Sequence, residues 1–225
     1  MALQGVILDV DGTLVLSNDA HAQSWVDAFA TFGYEVTFKQ VRPLIGMGGD
    51  QLMPKLVPGL SEKEGVGKDI ADYRHRLFAS KYAKDLVASR GTRALVQRMQ
   101  ANGLKLVIAS SAKAEQLGSL LKAAQVDDLI QEATTSSDAK ASKPEPDIVE
   151  AALAKAGLAP DQVVMIGDTP YDIESAGKAG VPVIALRCGG FTDDQLAGAI
   201  AIYNDPADLL QNYDASPLAQ LAGVR

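Results

Sequence analysis

The chain has 225 residues, of which 47% are hydrophobic and 22% charged, and this composition is that of a globular protein rather than a disordered one. The net charge of −7 argues against nucleic-acid partners, which favour a basic surface. The only cysteine, Cys188, excludes an intrachain disulfide. There is no secretion signal at the start and no apolar run near the roughly 20 residues of a membrane span, so we expect a cytoplasmic protein without membrane contact.

The first predicted element is an apolar strand at 5–8, and a long segment without a convincing strand follows it. From about 19 to 89 the pattern predicts helices instead, at 20–32, 37–44, 50–56 and 61–82. A surface loop after a strand tolerates such an insertion. We therefore expect an α-helical cap domain at 17–89, inserted into a core domain made of 1–16 and 90–225.

The rest of the chain alternates between short apolar strands and helices. Strands are predicted at 104–109, 163–166 and 181–186, with a further candidate at 199–202, and helices at 92–101, 112–124, 146–156 and 171–179. The region 131–141 suggests a strand and a loop without fixing the pairing. Apolar runs that alternate with helices are typical of a parallel sheet buried on both faces. The expected fold is α/β, a doubly wound parallel sheet with the helical insert.

Polar residues follow the predicted strands at their carboxyl ends, where an open α/β sheet binds ligands. They are Asp9, Asp11 and Thr13 after the first strand, Ser110 after the second, and Asp168 and Asp172 after the third, with Lys143 between the last two strands. We expect these side chains to share one crevice, over which the helical insert would lie as a lid.

Carboxylates, a hydroxyl and a lysine in one crevice suit phosphoryl transfer. Carboxylate oxygens suit Mg²⁺, and the ion and the lysine would neutralise phosphate oxygens. One carboxylate could attack phosphorus, and another could protonate the leaving oxygen and later deprotonate water. We expect Asp9, at the strand end, to be the nucleophile and Asp11 to be the general acid and base.

The chain resembles the haloacid dehalogenase superfamily of phosphatases and phosphomutases, which have a Rossmann-like core. The four signatures of that family occur in order: DVDGT from Asp9, Ser110 after LVIA, Lys143 in SKPEP, and GDTPYD from Gly167. The resemblance implies that Asp9, Asp168 and the backbone carbonyl of Asp11 bind Mg²⁺. It also implies that Asp172 supports the metal or Lys143, and that Ser110 and Lys143 hold phosphate.

The helical insert resembles the small cap of the branch that contains phosphoglycolate phosphatase and β-phosphoglucomutase. The dehalogenase branch lacks the acid at the position of Asp11, so its presence favours phosphate chemistry. The phosphoglucomutase branch has an arginine where this chain has Gly49, which favours hydrolysis over mutase activity.

Five further residues are candidates for substrate contact. They are Thr13, His21, Arg42, Gly48 and Lys113. Alternatives stay open for three of them: turn chemistry for Thr13, packing against Trp25 for His21, and contact with a helix end for Arg42.

The sequence thus predicts a Mg²⁺-dependent phosphatase that acts on a small phosphorylated metabolite, a sugar phosphate or phosphoglycolate, through an aspartyl-phosphate. The second hypothesis is a sugar phosphomutase of the β-phosphoglucomutase type. A third, from another class, is a phosphate-binding regulatory protein that has lost turnover. A monomer is expected.

Overall fold

Six strands form a single sheet in the computed structural model, which describes residues 2–222. They are β1 (Gly5–Leu8), β2 (Lys105–Ala109), β3 (Glu132–Thr134), β4 (Val163–Gly167), β5 (Val183–Leu186) and β6 (Ala201–Tyr203). Their order across the sheet is β3-β2-β1-β4-β5-β6, and every neighbouring pair is parallel. The doubly wound α/β fold expected from the sequence is confirmed.

Helices cover both faces of this sheet and also fill the segment between β1 and β2. In that segment they are α1 (Asn18–Thr31), α2 (Phe38–Val41), α3 (Gly49–Leu56) and α4 (Gly65–Leu77). The later ones are α5 (Thr92–Ala101), α6 (Ala114–Ala123), α7 (Asp147–Ala156), α8 (Pro170–Lys178), α9 (Pro206–Gln211) and α10 (Pro217–Ala222). None of the helices within residues 2–222 is both long enough and apolar enough to cross a membrane. The cytoplasmic location stays a prediction.

The central strand β1 sends alternate side chains to the two faces of the sheet, as strand geometry requires. Val6 and Leu8 join the hydrophobic cluster that contains the apolar residues of α5 and α6. Ile7 joins the opposite cluster, which contains the apolar residues of α7 and α8. Because both faces are covered, all four residues of β1 are buried, and the chain leaves the sheet at its carboxyl edge with Asp9.

The segment between β1 and β2 has a hydrophobic cluster of its own. Trp25, Phe29, Met53 and Ile70 are buried in it, and its helices α1 and α4 pack on each other. This arrangement is the one expected of a helical insert. The domain bounds at 17 and 89 stay a prediction.

Several predicted boundaries were wrong, and local chemistry explains two of them. The helix predicted at 37–44 is α2 followed by a single 3₁₀ turn, Arg42–Leu44, because Pro43 has no N–H to continue the α-helix. The strand predicted from 181 begins only at Val183, after Pro182.

Three other elements also differ from the prediction. The helix predicted at 61–82 runs over Gly65–Leu77 and then widens into a π-helical turn, Phe78–Tyr82. The last strand is Ala201–Tyr203 rather than 199–202, and Ile200 lies before it at the surface. The strand within 131–141 is β3, which pairs with β2 at the edge of the sheet.

We expect that Ile166→Ala, at a fully buried position of β4, lowers the free energy of unfolding by about 3 kcal/mol, because it leaves a cavity between the sheet and the layer of helices on that face. The matched control is Ile200→Ala, since that side chain is 49% exposed and should change the same quantity by less than about 0.5 kcal/mol. Urea denaturation measures both, and equal losses would contradict the described core.

Candidate active site

Asp9 and Lys143 form the centre of the site. Nζ of Lys143 lies 2.5 Å from Oδ1 of Asp9 and 2.7 Å from Oδ1 of Asp172. The same ammonium donates to the carbonyl oxygen of Ala109 at 3.2 Å. Lys143 is only 1% exposed, and a buried charge of this kind is stable only when it is paired and hydrogen-bonded. The lysine therefore joins the carboxyl ends of β1 and β2 to the first turn of the helix α8, which follows β4.

Asp168, directly after β4, is held by two residues from the first loop and the first helix. The hydroxyl of Thr13 donates to Oδ1 of Asp168 at 2.9 Å, and the amide of Asn18 donates to Oδ2 at 2.7 Å. Asn18 also donates to the carbonyl oxygen of Gly189 at 3.1 Å. Thr13, expected to contact substrate, is placed here to orient Asp168, so its substrate contact stays a prediction.

Two glycines allow Asp168 to lie this close to the backbone. A Cβ on Gly12, whose φ is +84°, would fall 2.2 Å from Oδ2 of Asp168. A Cβ on Gly189 would fall 1.7 Å from the same oxygen. Any side chain at either position would displace this carboxylate, and the role of Gly189 was not predicted from the sequence.

Asp172 holds Lys143 and also organises the start of α8. Its Oδ2 accepts from the hydroxyl of Thr169 at 2.7 Å and from the backbone N–H groups of Thr169 and Asp168 at 3.0 and 3.3 Å. Its Oδ1 faces Lys143. Of the two roles that the sequence left open for Asp172, this geometry favours support of the lysine.

The three carboxylates form the group within residues 2–222 whose chemistry fits a divalent ion. One oxygen from each of Asp9, Asp168 and Asp172 lies within 4.8 Å of the others, and all three residues are buried. Burial raises the pKa of Asp9 to about 7, with Lys143 opposing and Asp172 adding to the rise. Burial, and then Asp9, raises the pKa of Asp168 well above its usual range. These carboxylates repel each other, and a hard cation among their oxygens would remove that repulsion.

Asp11 lies in a different environment, under the helices that follow β1. The hydroxyl of Ser17 donates to its Oδ1 at 2.5 Å, and Nε2 of His21 lies 2.7 Å from the same oxygen. The other ring nitrogen of His21, Nδ1, faces the guanidinium of Arg74, which also donates through Nε to the hydroxyl of Ser24 at 3.0 Å. A chain of hydrogen bonds thus runs from α4 through His21 to Asp11.

These hydrogen bonds fix the tautomer of His21. A guanidinium can only donate, so Nδ1 must accept, and Nε2 carries the hydrogen that is donated to Asp11. Burial lowers the pKa of His21 and outweighs the opposing effect of Asp11, so the ring is neutral. Burial alone would raise the pKa of Asp11, but His21, Ser17 and Arg74 outweigh it and lower that pKa.

Arg74 is a site residue that was missed in the sequence. It is 7% exposed, and its guanidinium lies 5.1 Å from the ring centroid of Trp25 and 5.2 Å from that of Phe78. Phe78 also stacks on His21, with the ring centroids 4.0 Å apart. The run DYRHRL around Arg74 is strongly polar, so it suggests a solvated helix face. Only the packing of α4 on α1 turns this arginine inward.

A cavity of about 470 Å³ opens above these residues and is lined by Asp9, Asp11 and His21. Gly48 and Lys113 also line the cavity. Gly48 lies so close to Ser142 that a Cβ there would fall 2.1 Å from Oγ of Ser142, whereas Lys113 is exposed. The buried hydroxyl of Ser110 accepts from the backbone N–H of Ala112 at 3.1 Å. For Gly48, Lys113 and Ser110, contact with substrate stays a prediction.

Arg42 is engaged away from this cavity. Its Nε donates to Oδ1 of Asp19 at 2.6 Å, and its Nη2 donates to the carbonyl oxygen of Gly189. Its guanidinium lies 5.7 Å from the ring centroid of Phe191. This placement favours a contact between the helical segment and the loop after β5. The substrate contact expected of Arg42 stays a prediction without support from its position.

Comparison with known proteins shows which family and which solved structures this chain is similar to. The family model for haloacid dehalogenase-like hydrolases matches residues 6–186. A phosphoglycolate phosphatase of Rhodospirillum rubrum is 27% identical over 215 residues, 92% of this chain and 89% of that protein. Protein SUPPRESSOR OF QUENCHING 1 of Arabidopsis thaliana is 32% identical over 189 residues, but the match spans 82% of this chain and only 18% of the plant protein. A crystal structure of a hydrolase from Pseudomonas syringae superposes with a TM-score of 0.87 and 26% identity, covering 95% of this chain and 98% of that one.

We expect Mg²⁺ to stabilise the protein through the three-carboxylate group. At about ten times its Kd, a bound ion adds roughly 1.4 kcal/mol to the free energy of unfolding. Thermal unfolding in Mg²⁺ and in EDTA measures this gain, which Asp168→Asn should abolish. The control, Asp161→Asn, removes an exposed acid and should retain the gain. A gain that survives in Asp168→Asn would place the ion elsewhere.

We also expect His21 to be neutral, with its proton on Nε2, because Arg74 can only donate to Nδ1. Long-range ¹⁵N–¹H NMR correlations distinguish the tautomers. The chain has two histidines, so a His75→Asn variant assigns the signals. A proton on Nδ1 of His21 would show that the link from Arg74 to Asp11 is absent.

Proposed function

Because the chain belongs to the haloacid dehalogenase-like hydrolase family, we propose that it is a phosphoric monoester hydrolase, a Mg²⁺-dependent phosphatase that acts through an aspartyl-phosphate. The observation that carries the proposal is the contrast between Asp9 and Asp11. Both line one cavity, yet Asp9 is paired with Lys143, whereas Asp11 accepts hydrogen bonds from Ser17 and His21. Two carboxylates in such different environments suit two different roles.

In the first step an oxygen of Asp9 attacks phosphorus, and the bond from phosphorus to the leaving oxygen breaks. Nζ of Lys143, beside Asp9, stabilises the negative charge of the phosphoryl oxygens. The surroundings of Asp11 favour its ionised form, so Asp11 has no proton to give at the start of the reaction. The proton for the leaving oxygen is therefore brought by the substrate, which binds as the phosphate monoanion. Asp11 takes up this proton and passes it to the leaving alcohol.

In the second step water attacks the phosphorus of the aspartyl-phosphate, and Asp11 takes a proton from that water. Asp9 departs as a carboxylate, and phosphate leaves with the proton, so each residue returns to its starting state. The hydrogen bond from Nε2 of His21 keeps the Asp11 carboxylate directed into the cavity through both steps.

Asp9 and Asp168 would hold Mg²⁺ together with the backbone carbonyl of Asp11, with Asp172 close by. When bound, this ion would neutralise charge on the phosphoryl oxygens. The hydrogen bonds from Thr13 and Asn18 keep Asp168 oriented for that task. The substrate would be a small phosphomonoester, such as a sugar phosphate or phosphoglycolate, and the monomeric state stays a prediction.

A sugar phosphomutase would use the same two aspartates but must hold a second phosphate while the sugar turns over. The position where the mutase branch has arginine is Gly49, and a Cβ there would fall 2.7 Å from both carboxylate oxygens of Glu62. Gly49 thus supplies no cation, and the group nearest to this position is an acid, which would repel a second phosphate. This observation supports hydrolysis over transfer.

We expect turnover of p-nitrophenyl phosphate with Mg²⁺ and none with EDTA, and a loss of at least about 1000-fold in Asp9→Asn, because the amide cannot act as nucleophile. Absorbance of p-nitrophenol measures the rate, and Asp161→Asn is the matched control. Undiminished turnover in Asp9→Asn would rule out Asp9 as nucleophile, and no turnover by the wild type would favour a regulatory phosphate-binding protein.

The products from sugar phosphates separate hydrolase from mutase. With those that the protein accepts, including β-glucose 1-phosphate, we expect stoichiometric free phosphate, because Gly49 supplies no cation to hold a second phosphate. Phosphate assay and chromatography measure the products. Accumulation of glucose 6-phosphate would instead establish a mutase.

A further inference from the structure

The cavity above Asp9 and Asp11 ends at a wall that the proposed catalysis does not use. We call it the distal wall and define it by Asp50, Glu62, His75, Ser111 and Gln116, all of which line the same cavity. Asp50 and His75 come from α3 and α4, and Glu62 comes from the turn between these helices. Gln116 comes from the start of α6 and Ser111 from the loop before it. A leaving group attached to a phosphate at Asp9 would extend toward this wall.

Four residues of the distal wall present buried polar atoms that find no partner within residues 2–222. These atoms are Oδ1 of Asp50, both ring nitrogens of His75, Oγ of Ser111 and Nε2 of Gln116. Unpaired buried polar groups are costly and uncommon in proteins. This set contains donors and acceptors, and a group that both donates and accepts, such as a hydroxyl, satisfies it best.

The fixed charges of the wall itself are negative. Glu62 lies directly behind Gly49, and its Oε1 is 3.8 Å from Nε2 of His75. Asp50 is anchored by its other oxygen, Oδ2, which accepts from the backbone N–H of Ser142 at 3.3 Å. These two carboxylates, of which Asp50 is anchored, would repel a carboxylate or a second phosphate placed between them.

The positive side chains around the cavity offset this charge only in part. Arg74 is engaged with His21 and Ser24, and its charge is shared between Asp11 and Glu62. Lys68 is 2.5 Å from Asp72, and its side chain is 55% exposed. Three more lysines stand at the exposed rim, where solvent screens them: Lys63, Lys113 and Lys140.

We propose that the distal wall selects phosphomonoesters whose leaving group is an uncharged, hydroxyl-bearing chain or ring, and rejects those that carry a carboxylate or second phosphate at that end. This inference rests on the proposed phosphatase function. The proposed function left sugar phosphates and phosphoglycolate open as substrates. The distal wall favours polyol and sugar monophosphates over phosphoglycolate.

The test compares two substrates of equal length that differ at one end. Sorbitol 6-phosphate ends in a hydroxymethyl group and 6-phosphogluconate in a carboxylate, and the remaining carbons carry the same hydroxyls. We expect kcat/KM for sorbitol 6-phosphate to be at least about tenfold higher, because a carboxylate both lacks a donor for Asp50 and meets the charges of Glu62 and Asp50. Turnover of p-nitrophenyl phosphate, measured in parallel, tests the phosphatase function independently of the wall.

The variants Glu62→Gln and Asp50→Asn remove one charge each and keep the size of the side chain. In each of them we expect the preference for sorbitol 6-phosphate to fall by at least about threefold, mainly through a higher kcat/KM for 6-phosphogluconate. The control is Glu64→Gln, which removes an exposed charge two residues from Glu62 and should leave the preference unchanged.

The outcomes are separable. Turnover of p-nitrophenyl phosphate with equal or better use of 6-phosphogluconate would overturn the assignment of the wall while leaving the phosphatase function intact. An unchanged preference in both charge variants would also overturn it. Failure to turn over any of the three compounds would reject the proposed function, and with it this inference. If a variant does not fold, the preference of the wild type still decides.

Discussion

The ion pairs of Lys143 with Asp9 and Asp172 are the interaction on which the rest of the site depends. With Asp168, these residues place three carboxylates and one ammonium at the carboxyl edge of the sheet. When all four groups are ionised, the cluster has a net charge of −2. A buried cluster cannot keep that charge without a partner, which explains why the pKa values of Asp9 and Asp168 are raised. A divalent cation has the matching charge, so the electrostatics of the cluster and the proposed chemistry have one origin.

The second aspartate is kept outside this cluster by the helices between β1 and β2. Asp11 is two residues from Asp9, yet its pKa is lowered because His21, Ser17 and Arg74 outweigh its burial. In the proposed mechanism the core of the protein thus supplies the nucleophile beside the cation site, and the helical segment sets the state of the proton acceptor. Since Arg74 and His21 belong to that segment, the packing of α4 on α1 contributes directly to the state of Asp11.

The sequence predicted the sheet and its polar edge well, because both follow from short-range rules. Apolar runs mark the buried strands, and the ends of parallel strands must meet, which was enough to bring Asp9 and Asp168 together. Lys143 follows no predicted strand directly, and its role was implied by the resemblance to the family. Asn18, Arg74 and Gly189 were not predicted, because each acts through tertiary contacts that have no local pattern. Arg74 lies in a polar helical run, and Gly189 matters only because Asp168 comes so near to its backbone. Thr13 and Arg42, expected at the substrate, contact the protein groups Asp168 and Asp19, and their substrate contacts stay predictions.

The most direct test of the central claim is to trap the phosphorylated enzyme. Reduction of an aspartyl-phosphate with borohydride converts that aspartate into homoserine, and peptide mass spectrometry then identifies the modified position. We expect homoserine at position 9 after brief incubation with substrate and Mg²⁺, and unmodified aspartate at position 11. Modification at position 11, or none at position 9 while substrate is being turned over, would contradict it.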